Sequence, residues 1–214
     1  MTAQPRVLSF DIFGTVVDWR RGLLSALARQ GADVDESTFD RIVDAQGAEE
    51  GRAYLSYREI TARSLEAVVG LPRAAAEEIA AGLGHWPLFP DSAAALRRLL
   101  GKAACVATTN SDRVNREEVE AQLGVRLSAW VCAEELRLYK PDERFWRRTA
   151  ERIGEQLSAA WWHVSAYTDY DLEAARRLGL TTVFVERPHA RPGPADHRVR
   201  DLLALADLVD RAAG

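Results

Sequence analysis

The sequence lacks any apolar stretch of about 18 residues, the length that a membrane-spanning helix requires. It also lacks the basic and then apolar N-terminal pattern of a signal peptide. Lysine and arginine form no run, and the net charge of −4 is small, so we expect no binding to nucleic acid or to an anionic membrane. Together these absences predict a soluble, cytoplasmic protein.

Cysteine is scarce, with only Cys105 and Cys132 among 214 residues. Both lie in apolar, strand-like runs, where cysteine is typically a small buried side chain, so we expect neither a disulfide nor a cysteine metal site. Hydrophobic residues make up 47% of the chain, which is enough for a sizeable core. The length fits one domain, or a core with a modest insertion.

Short apolar runs alternate with helical patterns along most of the chain. Runs with the character of buried strands lie at 7–10, 104–108, 129–132, 161–165 and 182–185. Helices are predicted at 92–100, 113–123, 142–153 and 171–178, each followed by a glycine that can end it. Strands separated by single helices predict an α/β fold, a parallel sheet with helices on both faces.

One segment breaks this alternation. Residues 19–86 show helical patterns at 20–30, 37–51, 57–69 and 74–83 and no convincing strand. Because the segment is too long for a simple crossover, we expect a helical cap inserted into the core. The predicted division is a core of 1–18 and 88–214 and a cap of 19–87, and 187–194 is predicted to be a turn-rich surface loop.

Polar side chains follow the predicted strands at the ends where parallel α/β sheets bind ligands. Asp11 ends the first strand, Thr109 and Asn110 end the second, Lys140 follows the third and Asp171 follows the fourth. Each alone has an ordinary explanation as a turn former, a helix cap or a surface charge. Their order at successive strand ends predicts an active site at this edge of the sheet.

These segments resemble the haloacid dehalogenase superfamily. The matching stretches are Phe-Asp-Ile-Phe-Gly-Thr at 10–15, Thr-Thr-Asn at 108–110, Tyr-Lys-Pro-Asp at 139–142 and His-Val-Ser-Ala-Tyr-Thr-Asp-Tyr-Asp at 163–171. Tyr-Leu-Ser-Tyr-Arg at 54–58 and Phe-Pro-Asp-Ser at 89–92 are similar to the 2-haloacid dehalogenase branch. The resemblance covers nearly the whole chain and implies a Rossmann-like core with an inserted helical cap.

The resemblance also implies roles for particular residues. Asp11 would attack the substrate and form a covalent aspartyl intermediate, since a carboxylate is ionised at neutral pH and needs no base to become a nucleophile. Lys140 would pair with Asp11, and Asp171 would orient Lys140 or assist the hydrolytic water, while also being a candidate helix N-cap. The implied catalytic set is Asp11, Thr15, Thr109, Lys140 and Asp171.

A second group of residues is implied in substrate binding: Ile12, Phe13, Asn110, Arg41 and Trp146. The branch uses a cap arginine at the substrate carboxylate and halide, and Arg41 is the nearest candidate, although a solvated surface charge is the ordinary alternative. Trp146 stands where the branch carries an active-site tyrosine, and its ordinary alternative is core packing.

This chain lacks two aspartates that the phosphatases of the superfamily carry. Those phosphatases carry a second aspartate two residues after the nucleophile, which protonates the leaving alkoxide, whereas Phe13 stands here and has no proton to give. They also have Gly-Asp after the fourth strand, whose carboxylate helps to hold magnesium, whereas this chain has Ser165 and Ala166. Both losses fit displacement of halide from a short 2-haloacid, so we expect a small-molecule carboxylate substrate, no metal and no other cofactor.

Two alternatives stay open at this point. One is a magnesium-dependent phosphatase of small phosphoesters, in which Asp169 would partly replace the lost ligand; Phe13 and Ala166 argue against it. The other is a non-catalytic scaffold, against which the retained Asp11 and Lys140 argue. The sequence does not fix the oligomeric state, and a homodimer is compatible with it.

Overall fold

The structure is a computed structural model that describes residues 4–50 and 53–212. Its centre is a six-stranded sheet with the order β3-β2-β1-β4-β5-β6, in which every neighbouring pair is parallel. The strands are β1 (Val7–Phe10), β2 (Ala104–Thr109), β3 (Ala129–Cys132), β4 (Trp161–Ser165), β5 (Thr181–Val185) and β6 (His197–Val199). The predicted α/β, Rossmann-like parallel sheet is therefore confirmed.

The strand order reverses at β1, which is the point where ligands bind in open sheets of this kind. The chain leaves β1 towards β2 and β3 on one side and returns to β4, β5 and β6 on the other. All four residues of β1 are buried, as expected for the central strand of a sheet covered on both faces. Residue 11, the first after β1, therefore lies at the reversal point.

Two apolar clusters lie against the sheet. Leu8 and Phe10 of β1 belong to the larger cluster, whereas Val7 belongs to a second one that also contains Phe145 and Trp146. Alternate side chains of a strand point to opposite faces, so these clusters occupy the two sides of the sheet. The helices outside the segment between β1 and β2 are α5 (Ser92–Leu99), α6 (Asn115–Leu123), α7 (Ala133–Leu136), α8 (Glu143–Ile153), α9 (Glu173–Arg177) and α10 (Leu202–Ala212).

The segment between β1 and β2 is helical in its described part. It contains α1 (Trp19–Arg29), α2 (Glu36–Glu50), α3 (Tyr57–Val69), α4 (Arg73–Ala81) and a short 3-10 turn (Leu83–His85). Asp18 caps α1 by accepting the Arg21 N–H at 3.1 Å, and Ser56 caps α3 by accepting the Glu59 N–H at 3.1 Å. The four predicted helices are present, with residue 51 of the predicted 37–51 helix outside the described residues; the division into core and cap stays a prediction.

Four features differ from the sequence prediction. β6, α7 and α10 were not predicted, and the helix expected to begin at Asp171 is preceded by a π-helical turn at Thr168–Leu172. Asp171 lies inside that turn, and its carboxylate bonds Lys140 and His163. The N-cap interpretation of Asp171 is therefore wrong, since its oxygens are used by side chains and not by the first N–H groups of a helix.

No helix in the described ranges combines the length and apolar character that crossing a bilayer would require.

Candidate active site

The turn after β1 presents Asp11 and then folds back on it. Asp11 is 3% exposed; its Oδ2 accepts a hydrogen bond from Thr15 Oγ1 at 2.9 Å, and Thr15 Oγ1 in turn accepts the Ala166 N–H at 3.0 Å. Gly14 has φ of 102°, and a Cβ there would lie 2.6 Å from the Tyr167 ring. Only glycine fits this conformation and this approach, so the Phe-Gly-Thr sequence forms the turn that orients Asp11.

The outer side of this turn is held by Arg187, which follows β5. Its Nε and Nη2 donate to the Thr15 carbonyl at 3.1 and 2.9 Å. Its guanidinium also forms a bidentate ion pair with Asp91, with both contacts at 2.9 Å. Both side chains of this pair are largely buried. Sequence analysis placed Arg187 in a surface loop and did not identify this contact.

Lys140 joins two aspartates beneath the turn. Its Nζ lies 3.1 Å from Asp11 Oδ1 and 2.7 Å from Asp171 Oδ2, and all three side chains are buried. At these distances each ion pair is worth about 5–6 kcal/mol at an effective dielectric constant of about 20, before desolvation is counted. The cation therefore offsets much of the cost of burying two carboxylates.

The two aspartates respond differently to this burial. Burial alone would raise the pKa of Asp171, but His163 and Lys140 lower it to about 2. Burial raises the pKa of Asp11 above its usual value, with Asp171 adding to the increase and Lys140 opposing it. Burial would lower the pKa of Lys140, but Asp11 and Asp171 raise it. The ammonium and the Asp171 carboxylate thus form a permanent ion pair beside Asp11.

A buried chain of side chains supports Asp171 from behind. His163 Nε2 lies 2.8 Å from Asp171 Oδ1, His163 Nδ1 lies 2.8 Å from Ser9 Oγ, and Trp161 Nε1 donates to Ser9 Oγ at 2.7 Å. Because the indole N–H can only donate, Ser9 accepts from Trp161 and can give its own proton to His163 Nδ1. A proton on His163 Nε2 would face the Asp171 carboxylate. Sequence analysis missed His163 and Ser9, because they alternate with apolar residues in strands that it took as wholly apolar core.

Asn110 fixes the main chain of Lys140. Its Oδ1 accepts the Lys140 N–H at 2.7 Å, and its Nδ2 donates to the Lys140 carbonyl at 3.1 Å and to Glu50 Oε2 at 2.9 Å. Thr109 Oγ1 donates to Ser111 Oγ at 3.1 Å, and Thr109 faces the same cavity as Asn110. Asn110 therefore connects the end of β2 to the lysine and to helix α2.

A cavity of about 540 Å³ opens above Asp11, a size typical of small-molecule sites. Helix α2 contributes Val43, Asp44, Gln46, Gly47 and Glu50 to its wall. The aromatic residues of its wall are Phe13, Trp19, Tyr54, Tyr57, Tyr139, Tyr167 and Tyr170. A wall that combines aromatic rings with charged groups of both signs suits a small organic molecule that carries a charge.

Glu50 is a further acid in this cavity that sequence analysis missed. Burial raises its pKa to about 8, with Asp11 adding to the increase and Asn110 and Lys140 opposing it. Glu50 is therefore mostly protonated at neutral pH, and it can donate a hydrogen bond. Nothing in the spacing of the sequence distinguishes Glu50 from Glu49. Only the structure shows that Glu50, at the end of α2, lines the cavity.

The structure brings most of the predicted residues together. Asp11, Phe13, Thr109, Asn110 and Lys140 line the cavity, and Thr15 and Asp171 contact Asp11 and Lys140 directly. The side chain of Ile12 lies in the apolar core, while its carbonyl accepts the N–H groups of Val16 and Val17 in the turn. Ile12 thus shapes the turn and does not face the cavity.

Two predicted binding residues lie elsewhere. Arg41 is exposed on α2, where its Nη2 donates to Thr38 Oγ1 at 3.1 Å, because the neighbouring Ile42 takes the buried face of the helix. Trp146 is fully buried on the core face of α8, and its ring meets the His163 ring edge-on at 4.5 Å. Neither lines the cavity, which corrects the expectation of substrate contact for both.

The acidic residues around the cavity are mostly engaged by cations of the protein. No group of three or more His, Cys, Asp or Glu in the described residues could hold a metal ion. The Lys140 ammonium stands between the Asp11 and Asp171 carboxylates, and Asp169, the possible substitute ligand, forms an ion pair with Arg191 at 3.3 Å. Positive charge beside Asp11 is therefore supplied by the protein itself.

A family model described as haloacid dehalogenase-like hydrolase matches residues 5–179. The chain belongs to this family of haloacid dehalogenase-like hydrolases.

Individual proteins of known type are similar to the chain. The (S)-2-haloacid dehalogenase 4A of Burkholderia cepacia is 27% identical over 128 residues, 56% of this chain and 54% of that protein, so the match spans about half of the relative's length. The crystal structure of the defluorinating L-2-haloacid dehalogenase Rha0230 superposes with a TM-score of 0.81 at 25% identity, covering 96% of this chain and 95% of the other. The L-2-haloacid dehalogenase PA0810 gives a TM-score of 0.79 at 26% identity over 97% and 99% of the two chains.

Proposed function

We propose that this hydrolase displaces halide from a short 2-haloacid through an aspartyl-ester intermediate at Asp11, without a metal ion. The observation that carries the proposal is the position of the Lys140 ammonium, 3.1 Å from Asp11 Oδ1 and 2.7 Å from Asp171 Oδ2. It supplies a fixed positive charge beside the nucleophile. The similarity to 2-haloacid dehalogenases supports the choice of substrate.

In the first step a carboxylate oxygen of Asp11 bonds to the carbon that carries the halogen, and the halide leaves with the bonding pair. Thr15 and Lys140 hold the two Asp11 oxygens, so the carboxylate is oriented before the substrate arrives. Halide is a stable anion and needs no proton. Phe13, at the position of the phosphatase acid, is therefore no obstacle to this reaction, whereas loss of general acid catalysis would cost a phosphatase about 10²–10⁴-fold in rate.

In the second step water attacks the carboxyl carbon of the ester and the bond between that carbon and the ester oxygen breaks, so the alcohol oxygen of the product comes from Asp11. One proton of the water goes to this alcohol oxygen and the other is released to solvent. Negative charge develops on the former carboxylate oxygen, where Lys140 and Thr15 can stabilise it. Asp171 holds Lys140 in place, since its two oxygens are bonded to Lys140 and His163.

Halide release from 2-chloropropionate and 2-bromopropionate, with and without chelator, tests the reaction. We expect release that the chelator leaves unchanged, and only trace hydrolysis of an aryl phosphate. Single turnover in ¹⁸O-labelled water should give a first product with unlabelled oxygen from Asp11. Label in that first product would overturn the ester mechanism, and strong magnesium-dependent phosphate release without any halide release would favour the phosphatase.

The inserted segment of residues 19–87 is proposed to form a cap that selects the substrate. Its helix α2 forms one wall of the cavity, while Asp11 and Lys140 come from the sheet edge. A wall that belongs to a separate segment can exclude water and complete the pocket when it closes. Substitutions at Gln46 and Val43 should therefore change the preference among 2-haloacids more than the rate of ester hydrolysis, and an unchanged preference would contradict the cap assignment.

A further inference from the structure

Four positively charged side chains are among the described residues that line the cavity. Lys140 pairs with Asp11 and Asp171, Arg144 with Asp142, and Arg191 with Asp44 and Asp169. The fourth is Arg137. No carboxylate of the described chain lies within ion-pair distance of Arg137, so its charge is not used within this part of the protein.

The backbone of Arg137 adopts an unusual conformation. Its φ of 54° and ψ of 34° are left-handed, and it is the one non-glycine residue with positive φ in the described ranges. A side chain in this conformation is unfavourable, and such residues concentrate at functional sites. Glycine would end α7 here without strain. The presence of arginine instead suggests that its side chain has a function.

The exposed Arg137 side chain lies over one aromatic ring of the cavity wall. Its guanidinium carbon lies 4.3 Å from the centre of the Tyr54 ring, which stacks on the Tyr139 ring at 5.6 Å and an angle of 15°. Tyr139 directly precedes Lys140. A cation over an aromatic face is oriented without being neutralised, so Arg137 keeps its hydrogen-bond donors for another partner.

A carboxylate substrate needs such a partner. The cavity already contains the Asp11 carboxylate, and Lys140 is shared by two aspartates. The arginine expected in the cap is absent from the cavity wall, since Arg41 is exposed elsewhere on α2. We propose that Arg137, from the core, binds the carboxylate of the substrate and so determines the preference for organic acids, an inference that rests on the proposed function for the reaction.

The test compares 2-chloropropionate with uncharged 2-chloropropionamide, which has the same reacting carbon and halogen. In Arg137→Gln and Arg137→Gly, KM for the acid should rise by at least about tenfold, while kcat for the acid and kcat/KM for the amide stay near the wild-type values. Arg137→Lys should recover part of the loss. The control Arg147→Gln, which removes an exposed arginine outside the cavity, should behave as wild type.

The glycine variant separates binding from folding. Arg137→Gly removes the charge and also relieves the left-handed backbone, so its melting temperature should equal or exceed that of the wild type while its KM for the acid rises. An unchanged KM for the acid in both Arg137→Gln and Arg137→Gly would overturn the inference.

A binding measurement distinguishes failure of this inference from failure of the proposed reaction. Calorimetric titration with lactate, the expected product from 2-chloropropionate, should show about tenfold weaker binding to Arg137→Gln than to wild type. If the wild type releases no halide but this difference persists, the reaction is wrong and the carboxylate site stands. Equal lactate binding by the two proteins, or none by the wild type, would refute the carboxylate site.

Discussion

Replacing Lys140 with methionine should destabilise the protein strongly at neutral pH. The methionine has nearly the length of lysine but no charge, so Asp11 and Asp171 would stay buried without their shared cation. Removing one partner of a buried ion pair typically costs about 3–5 kcal/mol. This is a large part of the roughly 5–15 kcal/mol that stabilises a typical domain. From the sequence alone we would expect little loss of fold, and the full burial of Lys140 changes that expectation.

The pH dependence of this effect has a definite sign. In the wild type the pKa of Asp171 lies at about 2 instead of 3.8, so its ionisation contributes about 2 kcal/mol of stability that is lost as pH falls from about 4 to 2. Without Lys140 the pKa values of Asp11 and Asp171 should rise above their unfolded values. The variant's deficit should then be large above those raised pKa values and shrink as the pH falls through them.

Urea unfolding of wild type and Lys140→Met at several pH values between 4 and 8 would measure both effects. Lys102→Met is the matched control, because Lys102 is 45% exposed and pairs with Asp210 at the surface, where such pairs contribute about 1 kcal/mol or less. If Lys140→Met unfolded at pH 7 with a free energy within about 0.5 kcal/mol of the wild type, the buried arrangement of Lys140 between two ionised aspartates would be refuted.

Three further substitutions test other parts of the site. Asp11→Asn should abolish halide release without lowering the melting temperature at pH 7, since burial raises the pKa of Asp11 and its charge is therefore unfavourable to the fold; a clearly lower melting temperature would contradict this. Glu50 should ionise as the pH rises through about 8 and repel an anionic substrate, so KM for a haloacid should increase there in the wild type but not in Glu50→Gln; parallel pH profiles would exclude this role. Gly14→Ala should lose about 1 kcal/mol or more of stability and most of its turnover, because its φ is 102° and the new Cβ would meet Tyr167; an active, stable variant would show that the turn can rearrange. Steady-state halide release and thermal unfolding measure all three.

The placement of several predicted residues at one edge of the sheet follows from local sequence. Asp11, Thr109 and Lys140 follow buried strands directly or through a short loop, and the parallel order of those strands brings their carboxyl ends together. β6 was missed because it has three residues and follows the proline-rich loop at 187–194, which gives no strand pattern. α10 has a clear apolar face, and the sequence interpretation did not extend to it.

Some of the residues that sequence analysis missed or misplaced lie on helices, and the orientation of each helix decides which of its side chains reach the cavity. Arg41 and Glu50 both lie on α2, yet one is exposed and the other lines the cavity. Trp146 packs on the core side of α8, in the apolar cluster that contains Val7, and not at the sheet edge that forms the cavity. Helical spacing relates residues to one another, but the rotation of the helix against its neighbours is set by tertiary packing. The direction of these side chains therefore had to come from the structure.

The charges of the cavity explain why a permanent Lys140–Asp171 pair suits the proposed two-step reaction. With Glu50 protonated, Asp11 and Asp171 share one lysine in the resting site, and the Arg137 cation also lines the cavity. Ester formation neutralises Asp11, which leaves Lys140 balanced by Asp171 alone. The departing halide carries the displaced negative charge out of the cavity, and the carboxylate of the bound acid remains opposite Arg137. Hydrolysis then restores the Asp11 carboxylate beside Lys140, whose hydrogen bond to Asp171 need not change during the cycle. A lysine held in this way stabilises charge at Asp11 in both steps without moving a proton of its own.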